Sequence, residues 1–317
     1  MDNPSSTMRK ALVYTVDERE RAIALFSAWK VATVAKPRDF DILICSFEPL
    51  AIPAHLSALG IRNVVFDLHD KISAENLPQI WLPLITYLRL WLPDALRLRY
   101  DRLLYLDADT YLVSPDLSHL FEVDLGPHVL AAALDKMQWE NPNRPILDFA
   151  AQGMNVRRYL NAGVCLFDVE GYNARNLLGQ MLEIHRAGAK LQHHDQSLIN
   201  LATKGHWAEL SPRWNWQWTS RFPGLTERAD PLLHHFGGAP KPWDAARRPT
   251  NFSGPIVEEY ATFLSLEDSI HRFETNHYGG LRPSIPAQIK GLVDSALAYR
   301  HFRKLMKRHT DAFETRL

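Results

Sequence analysis

Arg102-Leu103-Leu104-Tyr105-Leu106-Asp107-Ala108-Asp109-Thr110-Tyr111-Leu112-Val113 is an apolar run of strand length that ends in two carboxylates spaced i and i+2. A buried strand gains nothing from two terminal acids, because an unpartnered carboxylate away from water is expensive. On extended backbone i and i+2 project to the same side, so Asp107 and Asp109 can converge on one point. In an open α/β sheet that point lies at the carboxyl end of a strand, where ligands bind. Two hard oxygen ligands there suit Mg²⁺ or Mn²⁺, ions that bridge protein carboxylates to substrate phosphates. Taken alone, the same residues also read as an Asp-rich turn closing a strand.

Outward from this run, strand and helix alternate. Ala11–Tyr14, Phe40–Cys45, Asn63–Phe66, Val129–Leu134, Ala162–Phe167 and Leu232–Phe236 read as strands. Apolar residues from Arg19 to Ala32 recur at helical spacing, and a longer helical region spans about Gln79 to Leu98, interrupted at Pro83 and Pro93. This order predicts an α/β protein with a mostly parallel central sheet flanked by helices on both faces.

Composition narrows the classes. Lys+Arg and Asp+Glu both total 36, so the 317-residue chain lacks the basic excess of a nucleic-acid binder. The first residues, MDNPSSTMRK, have no signal-type apolar core, and no stretch supplies the roughly 20 apolar residues of a spanning helix. The expectation is a cytoplasmic protein. Cys45 and Cys165 each sit in an apolar strand and are expected as buried free thiols. No Gly-x-Gly-x-x-Gly follows the first strand, which argues against a dinucleotide-dependent oxidoreductase.

Four further stretches carry chemistry. Arg89, in Thr86-Tyr87-Leu88-Arg89-Leu90, can fork onto a phosphate or brace one of the acids. Asn161-Ala162-Gly163 opens a strand with a side-chain amide and unobstructed backbone, equally useful for reading sugar hydroxyls or for a turn. Asp195 suits the first turn of a helix, whereas Gln196 beside it has no such local reason. Lastly, His234-His235-Phe236-Gly237-Gly238-Ala239-Pro240-Lys241-Pro242-Trp243 joins imidazole, glycine turn and lysine in a loop suited to holding an anion.

Together these stretches resemble glycosyltransferase family 8, the group containing glycogenin and the bacterial lipopolysaccharide galactosyl- and glucosyltransferases. The matching blocks are Thr-Tyr-x-Arg-Leu, Leu-Tyr-Leu-Asp-Ala-Asp-Thr, Asn-Ala-Gly-Val, Asp-Gln and His-x-x-Gly-x-x-Lys-Pro-Trp, in the family's order over roughly residues 11–245. Each block is weak and five in order are strong. The resemblance implies a GT-A type, Rossmann-like catalytic domain over 1–254, followed by a C-terminal helical extension over 255–317. It implies a metal-dependent retaining hexosyltransferase, moving glucose or galactose from a UDP-sugar to a glycan, glycolipid or protein acceptor. Mn²⁺, or Mg²⁺, would be held by Asp107, Asp109 and His235, with Ala108 between the two acids. Lys241 and Gly238 would contact the diphosphate. Arg89, Asn161, Ala162, Asp195 and Gln196 would line the donor sugar, with Asp135 a further candidate. Gln196, Asp195, Lys241 and Arg89 are thereby the catalytic candidates. Tyr14, Thr15, Val16 and Asp17 would hold nucleobase and ribose, although Val16-Asp17-Glu18-Arg19 replaces the Asn and Tyr that family members often carry there. A non-catalytic nucleotide-sugar or glycan-binding protein of the same fold is the alternative, and the intact acids, His235 and Lys241 argue against it.

Two segments leave alternatives open. Trp214, Trp216 and Trp218 alternate, and on extended chain would share one face, for stacking on a sugar or for core packing. After the break at Leu281-Arg-Pro-Ser-Ile-Pro, Ile289, Leu292, Ala296, Tyr299, Phe302 and Met306 recur at helical spacing beside Lys290, Arg300, Arg303, Lys304, Lys307 and Arg308. Such a basic amphipathic helix serves either an anionic membrane surface or packing on the catalytic domain.

Overall fold

The computed structural model describes residues 8–80, 82–218, 221–244, 252–267 and 283–317. Leu281 and Arg282 of the expected break thus lie outside the described residues.

Aliphatic runs form β1 (Lys10–Thr15), β2 (Asp41–Ser46), β3 (Ile61–Val65) and β4 (Arg102–Leu106), which pair in parallel. Next come β5 (Thr110–Leu112), β6 (Leu130–Leu134), β7 (Leu160–Asp168), β8 (Ala208–Glu209), β9 (Trp216–Gln217) and β10 (Leu233–His235). The main sheet has seven strands in the order β3-β2-β1-β4-β7-β6-β8. Within it β7 alone runs against its neighbours. The connection from β6 to β7 holds only the short helices Met137–Glu140 and Leu147–Ala150. Without a crossover helix the chain returns antiparallel.

Period-two alternation sorts the core into two layers. Leu12, Tyr14, Ile42, Ile44, Leu104 and Leu106 pack on one face, with Phe26 of helix Arg21–Val34 and Tyr260 of helix Gly254–Glu267. Ala11, Val13, Leu43, Leu103 and Tyr105 point the other way, toward Trp91 of helix Leu88–Ala95, Met181 of Leu177–Arg186 and Leu198 of His194–Thr203. The expected helix over 79–98 is thus shorter: a 3₁₀ turn, Leu84–Tyr87, precedes it. Cys45 and Cys165 are buried and free.

A second, three-stranded sheet, β5-β10-β9, was not anticipated. Asp107 directly follows β4, Ala108 and Asp109 form a turn, and the chain resumes as β5. The two acids therefore converge across a turn rather than along extended backbone, a turn closed by Thr110 Oγ1 donating to the Asp107 carbonyl at 2.9 Å. Likewise, Pro212–Asn215 is a 3₁₀ turn capped by Ser211, so the three tryptophans do not share a face. Trp214 and Trp218 join the first core layer, and Trp216 packs with Trp139, Phe222 and Phe302. All three are buried, which places them in the core rather than on a sugar.

The C-terminal helix, Ile285–Met306, lies against helix Pro223–Ala229 and buries Phe302 and Leu305. Beyond it the chain pairs with the sheet edge, Glu209 N–H donating to the Arg316 carbonyl at 2.8 Å and the reverse bond at 3.0 Å. No helix among the described residues is long and apolar enough to cross a membrane.

Candidate active site

From β1 the chain goes to β2 and β3 on one side, then returns to β4 on the other. The carboxyl ends of β1 and β4 therefore flank a topological switch point, where open α/β sheets bind ligands. Asp107 leaves β4 there. β10 brings His235 to the same place by pairing antiparallel with β5, His235 opposite Thr110.

His235 Nε2 lies 3.4 Å from Asp107 Oδ2 and 3.4 Å from Asp109 Oδ1. Ligand atoms of all three residues fall within 4.8 Å of one another, the one such group among the described residues. The other imidazole nitrogen, Nδ1, sits 3.0 Å from Asn215 Oδ1. A proton on Nδ1 donated to the Asn215 oxygen leaves Nε2 facing the carboxylates, as happens where a metal-binding histidine is oriented by an acceptor on its other ring nitrogen. Burial opposes charge on His235, but Asp109 and Asp107 outweigh it and push its pKa up to about 9. Burial likewise opposes ionisation of Asp107, yet Arg89 and His235 hold it down at about 2, and Lys241 and His235 hold Asp109 lower still. Two ionised acids beside an imidazole whose proton a cation can replace fit a divalent ion. His234 points the opposite way, its ring stacked on Phe236, and burial lowers its pKa to about 4.

Around this group the remaining candidates fall into three sets. Arg89 is braced rather than open: Nη2 donates to Asp107 Oδ1 at 2.9 Å, Nη1 to the Ala162 carbonyl at 3.2 Å, and Nε lies 3.1 Å from Asp195 Oδ2. Of the two roles the sequence allowed, the geometry matches the brace. Burial of Asp195 raises its pKa to about 6 despite Arg89. Lys241 Nζ contacts Asp109 Oδ2 and donates to the Phe236 carbonyl at 2.8 Å. Gly238, at φ +86°, lets the loop turn between His235 and Lys241.

The second set is an amide cluster. Gln196 Oε1 accepts from Ala162 N–H at 2.9 Å and from Asn161 Nδ2 at 3.2 Å, while its Nε2 donates to Asp135 Oδ2 at 3.1 Å. Asn161 also donates to Asp135 Oδ2, at 3.2 Å, and its Oδ1 accepts from Asn215 Nδ2 at 2.9 Å. Thus Asp135, Asn161, Gln196 and Asn215 form one network reaching His235.

The third set was expected to hold a nucleobase, and the structure divides it. Tyr14 is fully buried with its hydroxyl 3.0 Å from Ser27 Oγ, so its ring serves the core; strand alternation turns it away from the site. Thr15 Oγ1 lies 3.4 Å from the Tyr105 hydroxyl, which donates to Asp107 Oδ1 at 2.8 Å. Val16 is buried, and Asp17 pairs with Arg19 at the surface. Ala108 is half-buried in the turn.

Sequence reasoning passed over Asn215 and Tyr105. Asn215 lies among the alternating tryptophans, where a lone amide between large apolar residues was the available signal.

The model of the family described as glycosyl transferase family 8 matches residues 11–247. The chain belongs to that family. General stress protein A of Bacillus subtilis (strain 168) is 29% identical over 198 residues, 56% of this chain and 64% of that protein. Lipopolysaccharide 1,2-glucosyltransferase of Escherichia coli (strain K12) is 28% identical over 188 residues, 55% of this chain and 53% of that protein. The chain thus spans less than two thirds of each of these relatives. A crystal structure of galactosyltransferase LgtC in complex with donor and acceptor sugar analogs aligns with TM-score 0.62 and 20% identity, covering 81% of this chain and 95% of that one. That likeness establishes the GT-A fold for this family 8 chain.

Proposed function

We propose that this chain transfers a hexose, glucose or galactose, from a UDP-sugar to a saccharide acceptor with retention at the anomeric carbon. The observation that carries the reading is the convergence of Asp107, Asp109 and His235 beside Lys241, with Asp135 after β6 bonded to Gln196 in the first turn of helix His194–Thr203. Asp107, Asp109 and His235 would hold Mn²⁺ or Mg²⁺, which when bound supplies positive charge to a diphosphate leaving group. Lys241, held by Asp109 and the Phe236 carbonyl, adds an ammonium to the same charge, an electrostatic contribution that grows as the sugar–phosphate bond breaks. Arg89 keeps Asp107 ionised and aimed. Family membership and the relatives' names support glycosyl transfer as the reaction class.

Retention is what the family resemblance implies, and Gln196 bears on the route to it. Its amide oxygen already accepts two hydrogen bonds, from Ala162 and Asn161, and an amide is a poor nucleophile. A glycosyl-enzyme on Gln196 is therefore disfavoured. In same-face displacement the anomeric C–O bond breaks, its electron pair leaves with the phosphate, and the acceptor oxygen bonds to the same face of C1. The acceptor proton passes to a departing phosphate oxygen. Gln196, Asn161 and Asp135 position the sugar through a prebuilt network, and positioning supplies much of the rate. The reading places this chemistry at an anionic membrane surface through the C-terminal helix.

The test is release of UDP from UDP-glucose and UDP-galactose with Mn²⁺, with EDTA, and by Asp109→Asn. Metal-dependent release that the variant lacks, while retaining its melting temperature, is the expected result. Full release in EDTA, or none in wild type with any metal, would overturn it; the second outcome leaves a binding protein.

A further inference from the structure

A second concave site lies beyond the donor network. A cavity of about 570 Å³ is built entirely from the β6–β7 connection, residues 137–157. One end of its lining is Met137, whose backbone N–H donates to Asp135 Oδ1 at 3.0 Å, which ties the cavity wall directly to the carboxylate that fixes Gln196 and Asn161. Its polar lining is Gln138, Asn141, Asn143, Arg144, Asn155 and Arg157, and no carboxylate lines it. Amides of this kind both donate to and accept from hydroxyls, whereas guanidinium only donates and carries a fixed charge.

The two arginines set the chemistry. Neither the Arg144 nor the Arg157 guanidinium has a carboxylate partner among the described residues, while Arg158, next in sequence, pairs with Glu209 at 3.6 Å. The backbone here is held independently of them: Gln138 Nε2 donates to the Arg157 carbonyl and its Oε1 accepts from Tyr159 N–H at 2.8 Å. Asp148 is turned away, its carboxylate taken by the Tyr159 hydroxyl at 2.5 Å and Gln192 N–H at 2.8 Å. Two positive forks and the amides of Asn141, Asn143 and Asn155 line one cavity from which the Asp148 carboxylate is turned away, and together they describe a site for a polyhydroxylated anion.

We infer that this cavity is the acceptor site and that it selects a saccharide carrying a phosphate or carboxylate. The inference rests on the proposed glycosyl transfer, because adjacency to Asp135 is what makes the bound saccharide an acceptor. Arg144 and Arg157 act as specificity-determining residues: they hold the anionic substituent and leave a hydroxyl free to face the donor end.

Calorimetric titration of the full chain, with UDP and Mn²⁺ present to fill the diphosphate site, tests it. Glucose 6-phosphate, glucuronic acid and glucose serve as probes, since the first two differ from the third in the anionic group alone or nearly so. Wild type is expected to bind at least one anionic probe about tenfold or more tightly than glucose, the scale of one charge-assisted fork. Preference for only the phosphate or only the carboxylate assigns the group. Arg144→Ala/Arg157→Ala is expected to abolish the preference, and Arg144→Lys/Arg157→Lys to keep part of it, with UDP binding and melting temperature unchanged in both. Equal binding of all three probes, no binding of any, or a preference that survives in the double alanine variant overturns the inference. Failure of UDP itself to bind in Mn²⁺ identifies instead a failure of the donor reading.

Discussion

At the scale of single residues, the site depends on an absent side chain as much as on charged ones. Gly163 N–H is held by Asn161 Oδ1 at 3.1 Å, and its carbonyl accepts from Asp107 N–H at 2.8 Å. A Cβ built on Gly163 would stand 2.2 Å from His235 Cε1 and 2.7 Å from Asp107 Oδ2. Neither neighbour can yield without leaving the ligand group. Gly163→Ala is therefore expected to cut metal-dependent UDP release by about 10²-fold or more, the scale of a misplaced catalytic group. Gly254→Ala, where a Cβ meets nothing within 4 Å, is the matched control and should retain activity. Activity of Gly163→Ala equal to that control would remove the steric argument. The convergence of Asp107 and Asp109 was legible from their spacing at a strand end, and the choice of His235 over His234 came from the family's block pattern, since residue type alone does not separate two adjacent histidines. The need for glycine at 163 and for Asn215 behind His235 was not legible, since each is set by neighbours that only folding brings near.

Among elements, strands with strong period-two or fully apolar patterns were legible, and β1, β2, β4 and β7 stand where the sequence placed them to within a few residues. Short strands such as β5, β8 and β9 carry too few residues for a period, and their pairing partners are distant in sequence. β8 shows what such a strand can hold. Its Glu209 is 1% exposed and accepts both forks of Arg308, at 2.5 and 2.6 Å. Burial opposes the charge, but His309, Arg308 and Arg158 outweigh it and lower the Glu209 pKa to about 2. A carboxylate depressed on folding contributes stability above its unfolded pKa, near 4.5 for glutamate, and loses it as pH falls toward 2. That contribution is on the order of 3 kcal/mol at neutral pH. Acid titration from pH 5 to 2.5 should therefore loosen the C-terminal strand, read as proteolytic release of residues after 306. Glu209→Gln should show that release already at pH 7 and little further change on acidification. A tail equally protected in both proteins across the range would show that Glu209 does not clamp it.

For the whole molecule, the open question is what the exposed face of the C-terminal helix meets. The sequence left membrane binding and packing as alternatives because one helical stripe served both. In the structure the stripe divides: Phe302 and Leu305 are buried near Trp139 and Trp216, whereas Ile285, Ile289, Leu292, Val293 and Leu297 are exposed. Arg300, Arg303, Lys304 and Lys307 continue the exposed side toward the helix end. Apolar exposure followed by clustered positive charge suits the surface of an anionic bilayer. Each basic residue near such a surface contributes about 1 kcal/mol, which gives useful, salt-sensitive attachment. Deleting the helix is a poor test, because it would also uncover Trp139 and Trp216 close to Asp135. Ile289→Glu/Leu297→Glu and Arg300→Glu/Arg303→Glu alter only exposed positions. Wild type is expected to co-sediment with vesicles of mixed anionic and neutral lipid at low salt and to release at high salt. Both double variants should stay in the supernatant while still releasing UDP from a UDP-sugar in Mn²⁺. A wild-type protein that ignores anionic vesicles at low salt, or variants that bind as it does, would leave the helix a structural brace for the Trp139 cluster.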